Sequence, residues 1–195
     1  MSHLEPLLKN FSSAIDLTAD EIALIERRTS IRKYLKGQYI VQQGDFCNTT
    51  NFILSGCTKT FVIDEEGQEH IIMFSIENWW TSDLGSFVSR NPADYHIQCM
   101  EPTEVVQFTY ENLQLLYQEV PKLNVFFRVL LEKALVAAQK RIIRNFSLTA
   151  KDRYLAFKAL YPEIDSRIPQ YMIASYLGIT KEFLSKIKSQ LILEQ

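Results

Sequence analysis

Thr180, Lys181, Glu182, Ser185, Lys186 and Lys188 crowd one short stretch near the C-terminal end of a 195-residue chain. On a helix anchored by Leu184 and Ile187, these six side chains occupy the outward positions. A lysine ammonium can donate to guanine O6 and N7, and a glutamate can accept from the cytosine amino group. Lys181, Glu182 and Lys186 therefore suit base edges. Thr180, Ser185 and Lys188 suit phosphate oxygens, which position a protein on a duplex without specifying sequence. A plain helical hairpin with a solvated face would carry similar residues, so the elements that must hold them decide the reading.

Those elements are legible from Arg167 onward. Pro169 opens a helix where its missing N–H costs nothing. Ile173 and Leu177 lie four apart and face a core, and Ala174 between them is small enough for a second helix to cross closely. Gly178 ends the first helix, where a left-handed backbone is cheapest for glycine. Ile179 plugs the turn and Thr180 caps the second helix. The joint spacing of Ala174, Gly178, Leu184 and Ile187 is that of a helix-turn-helix, whose second helix enters the major groove of DNA.

Charge is distributed to match. Residues 1–140 carry 12 Lys and Arg against 18 Asp and Glu, net −6, whereas residues 141–195 carry 9 against 5, net +4. A basic segment on an acidic body is what a local contact with DNA requires.

Other chemistries find little support. Cys47, Cys57 and Cys99 form no CxxC pair and read as three reduced, buried thiols. No G-x-S-x-G, P-loop, H-E-x-x-H or Cys/His set is present, so neither an enzyme, a metal site nor a cofactor is expected. No apolar run is long enough to span a bilayer and residues 1–10 lack the pattern of a secretory signal, so a cytoplasmic location is expected.

The remainder reads as an α+β chain. Thr18 and Glu21 form a capping-box pattern for a helix from Leu17 to Arg28. Short β-rich runs follow at Tyr39–Val41, Asn51–Leu54, Thr58–Ile63, His70–Phe74, Tyr95–Cys99 and Glu104–Phe108. Asp64–Gln68 makes a hairpin loop with Gly67 at a positive φ. Many short strands at close spacing suggest an antiparallel roll or jelly roll. A short helix over Glu111–Gln118 precedes a long one from Pro121 to about Asn145. There Leu123, Phe127, Leu130, Ala134 and Ala137 step by four, three, four and three, a heptad seam for a second copy of the helix. Phe126, Val129 and Val136 give a second apolar face, for packing on the roll. Thr149–Leu160 is amphipathic, and Tyr161–Ser166 is a connector.

In the order of these features the chain resembles the Crp/Fnr family of bacterial regulators over nearly all of residues 10–191. The residues that carry the resemblance are Gly37–Asp45 followed by Phe52–Gly56, then Asp83–Phe87, then Asp152-Arg153 ahead of the helix-turn-helix. The resemblance implies a cyclic-nucleotide-binding-like roll over residues 1–120, a long dimerisation helix over 121–146 and a DNA-binding domain over 147–195. It also implies a homodimer on double-stranded DNA, a small-molecule effector of unknown identity and contact with RNA polymerase. The family's β-hairpin wing would be missing, because the chain stops soon after the second helix.

The same comparison places an effector pocket at Ser82, Asp83, Leu84, Asp94 and Tyr95. Cyclic-AMP-binding members use a Gly-Glu-Leu segment and an Arg-Ser pair. These fall here on Ser82-Asp83-Leu84 and on Ala93-Asp94. A cyclic phosphate would lose its bidentate cation and meet a carboxylate, so cyclic AMP is not expected to bind at ordinary affinity. Asp83 is still able to accept a ribose hydroxyl. The positions of the long helix that hold nucleotide in such members are Ala138 and Gln139. The cysteine cluster of the iron–sulfur branch is absent. His70 and His96, and Trp79-Trp80, read as structural rather than ligand-binding. The competing function is a ligand-sensing or protein-interaction module that has lost contact with DNA.

Overall fold

The computed structural model describes residues 3–193. Its elements, in chain order, begin with α1 (Glu5–Phe11), α2 (Ala19–Arg28), β1 (Ser30–Tyr34), β2 (Tyr39–Val41), β3 (Thr49–Ser55) and β4 (Thr58–Ile63). Next come β5 (Glu69–Ser75), β6 (Trp80–Thr81), α3 (Leu84–Ser89), β7 (His96–Cys99), β8 (Thr103–Thr109) and α4 (Tyr110–Glu119). The chain finishes with α5 (Lys122–Ser147), α6 (Ala150–Leu160), α7 (Ile164–Arg167), α8 (Gln170–Leu177) and α9 (Lys181–Leu193). They form two compact units, Met1–Val62 with Ile72–Glu132, and Ile63–Ile71 with Lys133–Gln195. None of the helices among the described residues is long and apolar enough to cross a membrane.

The antiparallel roll foreseen from the strand spacing is present as two sheets, ordered β1-β8-β3-β6 and β2-β7-β4-β5. Strand alternation explains the packing. One face of the first sheet sends Ile53 and Val105, with Tyr34, against Cys99 of the second. Its other face sends Phe52, Val106 and Phe108 against α1 and the start of α5. Phe11 and Phe126 meet there edge to face, 4.7 Å between centroids. Trp80 lies among Phe11, Phe52, Phe108, Phe126 and Phe127, and its indole N–H donates to Asn10 at 3.0 Å. That indole is a core element. The three cysteines are buried and form no disulfide.

Local signals were realised where they are local. Thr18 caps α2, and Glu21 reaches back to the Thr18 N–H at 2.7 Å, which closes the capping box. Gly67 has φ +82° in the β4–β5 hairpin. The elements not expected are α1, β1, β6, α3 and α7. Each is short, and β1 reads Ser-Ile-Arg-Lys-Tyr, a charged strand whose propensity is poor. Pairing along its whole length with β8, from Ser30 opposite Gln107 to Tyr34 opposite Thr103, makes it a strand.

The seam expected on the long helix needs a correction. Leu123 is 0% exposed and Phe127 8% exposed, both inside the core of the first unit, and Leu130 packs at its margin. Leu123 and Phe127 serve the roll and are closed to a second copy. Ala134 and Ala137 are exposed. So are the larger apolar residues Val125, Leu131, Leu135, Val136, Ile142, Ile143 and Phe146, of which Val136 was expected to pack on the roll.

Candidate nucleic-acid interface

Helices α6 to α9 belong to the second unit. Its core holds Tyr154, Phe157, Tyr161, Ile164, Ile168, Met172, Ile173, Ala174, Leu177, Leu184 and Ile187, all buried. Ile173 and Leu177 from α8, and Leu184 and Ile187 from α9, are the positions whose spacing predicted burial. Burying the two α9 side chains sets the rotation of that helix and therefore which residues face outward.

The turn between α8 and α9 has a defined geometry. Gly178 adopts φ +65°, ψ +38°. Its N–H donates to the carbonyl of Ser175 and the N–H of Ile179 donates to that of Ala174, each at 3.0 Å. This pair of bonds is a Schellman motif. The last carbonyl of α8, that of Leu177, accepts from Arg153 Nη2 at 3.2 Å, while Arg153 Nη1 donates to the Leu148 carbonyl at 3.1 Å. One guanidinium thus ties the end of α5 to the end of α8. Thr180 then caps α9: its hydroxyl oxygen accepts from the N–H of Phe183 at 3.2 Å. The same hydroxyl still has a proton to give.

Lys181, Glu182, Ser185 and Lys186 are exposed along one side of α9, and Thr180 is exposed at its start. Five of the six side chains expected at a duplex are therefore on the surface together. The sixth, Lys188, is turned inward. Its Nζ lies 3.5 Å from Asp165 Oδ1 and 5.9 Å from the centre of the Tyr154 ring. Tyr154 in turn donates to Asp165 Oδ2 at 2.8 Å. Burial, with the neighbouring Asp165 carboxylate, pushes the Tyr154 phenol far above its ordinary pKa. Lys188 is held by the half-buried Asp165 carboxylate and the buried Tyr154 ring, and reads as a clamp of α9 rather than a phosphate ligand. Sequence reasoning missed the clamp because Asp165 is remote in the chain and lies in what looked like a connector.

Two further contacts went unforeseen. Ser175 of α8 donates to the carbonyl of Glu69 at 3.0 Å and accepts from the N–H of Ile71 at 3.1 Å. Arg141 of α5 lies 4.3 Å over the Tyr176 ring, which itself packs on Phe157 at 5.1 Å. Phe183, in the first turn of α9, is also left partly open to solvent, at 47% exposure.

The expected effector pocket is put together differently from the resemblance. Asp83 is 1% exposed. Its Oδ1 caps α3 by accepting from Ser86 N at 2.9 Å, and its Oδ2 accepts from Asp94 N at 2.9 Å. Both oxygens are engaged in holding α3 to the segment before β7. Leu84 points to solvent rather than into a pocket. Tyr95 donates to the carbonyl of Ser82 at 3.2 Å, and burial, with Asp83 nearby, raises its pKa strongly. Asp94 is exposed, while Ala93 is buried. His96 accepts at Nδ1 from Gln43 N at 3.2 Å and stacks on Phe61, 5.0 Å between centroids. His70 holds Asp64 across the hairpin at 2.6 Å. No group of His, Cys, Asp and Glu among the described residues is arranged to hold a metal ion.

Comparison with known proteins follows the same lines. Residues 31–120 match the family model for the cyclic nucleotide-binding domain. The fumarate and nitrate reduction regulatory protein of Vibrio cholerae is 27% identical over 177 residues, spanning 84% of this chain and 68% of that protein. Among solved structures, the c-di-GMP-responsive global regulator CLP of Xanthomonas campestris superposes with a TM-score of 0.72 at 17% identity, covering 91% of this chain and 93% of that one. FixK2 of Bradyrhizobium japonicum gives a TM-score of 0.71 at 18% identity, covering 85% of each chain.

Proposed function

We propose that this chain, a member of the Crp/Fnr family, is a transcription regulator that binds duplex DNA sequence-specifically as a homodimer. One observation carries the reading. The Gly178 turn and the burial of Leu184 and Ile187 leave Thr180, Lys181, Glu182, Ser185 and Lys186 exposed along α9. Donors and acceptors for base edges are thereby fixed on the first two turns of a helix, the part that enters a major groove. The Vibrio cholerae relative is a regulatory protein by name, which supports the same role here.

Two copies related by a two-fold axis would read half-sites about 34 Å apart. The exposed stripe of Leu131, Leu135 and Ile142 on α5 is the surface we assign to pairing. We assign no cyclic-AMP response to the roll. Asp83 is occupied by backbone donors, and Ala93-Asp94 supply no cation for a cyclic phosphate.

Selection of bound duplexes from a random library by the full chain tests the first claim, with gel shifts over a range of salt. A recurrent, inverted-repeat sequence bound by two copies is the expected result. Recovery of no preferred sequence, with equal binding to all duplexes, refutes it. Titration calorimetry with cyclic AMP should show no heat of binding at micromolar ligand.

A further inference from the structure

Phe183 has no place among the charged and polar groups expected at a duplex, yet it borders their face of α9, between Lys186 and the buried Ile187. It is 47% exposed. Its backbone is fixed, because its N–H bonds to the Thr180 hydroxyl at 3.2 Å. Leu184 beside it is fully buried and Ile187 is 3% exposed, so α9 cannot roll to hide the ring. Glu182 and Lys186, which adjoin it on the same side of the helix, are exposed.

A phenyl ring held open to water in the first turn of a helix is costly, since an aromatic ring gains most from burial. It is also rigid, with two side-chain torsions to freeze on binding. Phosphate oxygens and most base edges offer it nothing, because they are polar. The major groove presents one apolar group, the C5-methyl of thymine. We propose that Phe183 is a specificity-determining residue that reads a thymine methyl next to the bases addressed by Glu182 and Lys186. This rests on the DNA-binding reading above and adds to it the class of base read at one position.

The test uses the full chain and the duplexes recovered from random-library selection. Each thymine of the selected half-site is replaced in turn by deoxyuridine, which keeps the Watson–Crick face and removes only the methyl group. For the wild-type chain, one such replacement per half-site should weaken binding about fourfold, as expected for one lost apolar carbon group. Phe183→Ala should bind the thymine and deoxyuridine duplexes equally, with the affinity of wild type for the deoxyuridine duplex. Phe183→Leu should restore part of the difference. Equal penalties in wild type and Phe183→Ala would overturn the assignment, as would the absence of any penalty at every thymine. Binding of all duplexes alike, or of none, removes the DNA reading itself and this proposal with it. Thermal unfolding of the alanine variant within a few degrees of wild type establishes that the change in discrimination is not a loss of fold.

Discussion

Arg153 donates to the carbonyl of Leu177 at 3.2 Å, immediately before the glycine that turns the chain into α9. The same guanidinium reaches Leu148 at the end of α5 at 3.1 Å. A helix end leaves its last carbonyls without intrahelical partners, and a cation there also complements the helix dipole. Removing the side chain should therefore loosen the α8–α9 turn. Arg153→Ala is expected to lower stability by about 1.5–3 kcal/mol, the range for hydrogen bonds to a charged group. Arg153→Lys should recover little of it, because one ammonium does not span two carbonyls as the planar fork does. Denaturant unfolding followed in parallel with DNA affinity checks both.

The lysines of α9 should divide into two kinds. Lys181→Ala and Lys186→Ala are expected to cost about 1–3 kcal/mol at the selected duplex and to relax sequence preference. Lys188→Ala should leave the preference and the salt slope of binding unchanged while lowering the unfolding midpoint. Its partner is Asp165 at 3.5 Å rather than a phosphate. Gel shifts between low and moderate salt on all three variants, with melting curves, separate the two behaviours.

Self-association should depend on the exposed apolar residues of α5 and not on the buried ones. Leu135 is 61% exposed and Ile142 57% exposed. The double substitution Leu135→Glu with Ile142→Glu is expected to give a folded monomer by sedimentation velocity. Leu123→Ala should instead leave assembly intact and cost about 2–5 kcal/mol, as for other large-to-small changes in a core. A dimer that survives the double substitution would move the pairing surface elsewhere.

The hairpin between β4 and β5 should respond to acid. Asp64 accepts from His70 Nε2 at 2.6 Å and from the N–H groups of Gln68 and Glu66 at 2.9 and 3.0 Å. The bond from His70, then those from the backbone, hold its carboxyl below the ordinary aspartate range. A group whose folded pKa is depressed contributes stability above its unfolded pKa and loses it as pH falls through the folded one. The window therefore lies below about pH 4. Amide exchange at Glu66 and Gln68 should accelerate there. No such change at acid pH in Asp64→Asn, which lacks the titrating group, completes the test.

What could be read from the chain alone was whatever short-range geometry decides. Thr18 with Glu21 and Gly178 with Ile179 are written within a few residues, so both caps were foreseeable. Leu184 and Ile187 follow a helical period, so the outward face of α9 was foreseeable too. Periodicity does not say what covers an apolar face. Leu123 and Phe127 fit a heptad seam and a core equally well, and the roll claims them through α1 and β3. Lys188 was misplaced for a related reason, because no local pattern announces that Asp165 waits beneath it. Phe183 could have been found from the sequence, as an aromatic one turn before Ile187 at the margin of the buried face of α9.

Strand β5 lies at the border of its sheet, with β4 on one side only. Its Glu69 carbonyl and Ile71 N–H are taken by the single hydroxyl of Ser175. Unsatisfied backbone along such a border invites a strand from another molecule. Substituting this serine with alanine would free two backbone groups, and the trouble to look for is sticky, concentration-dependent clumping through main-chain pairing.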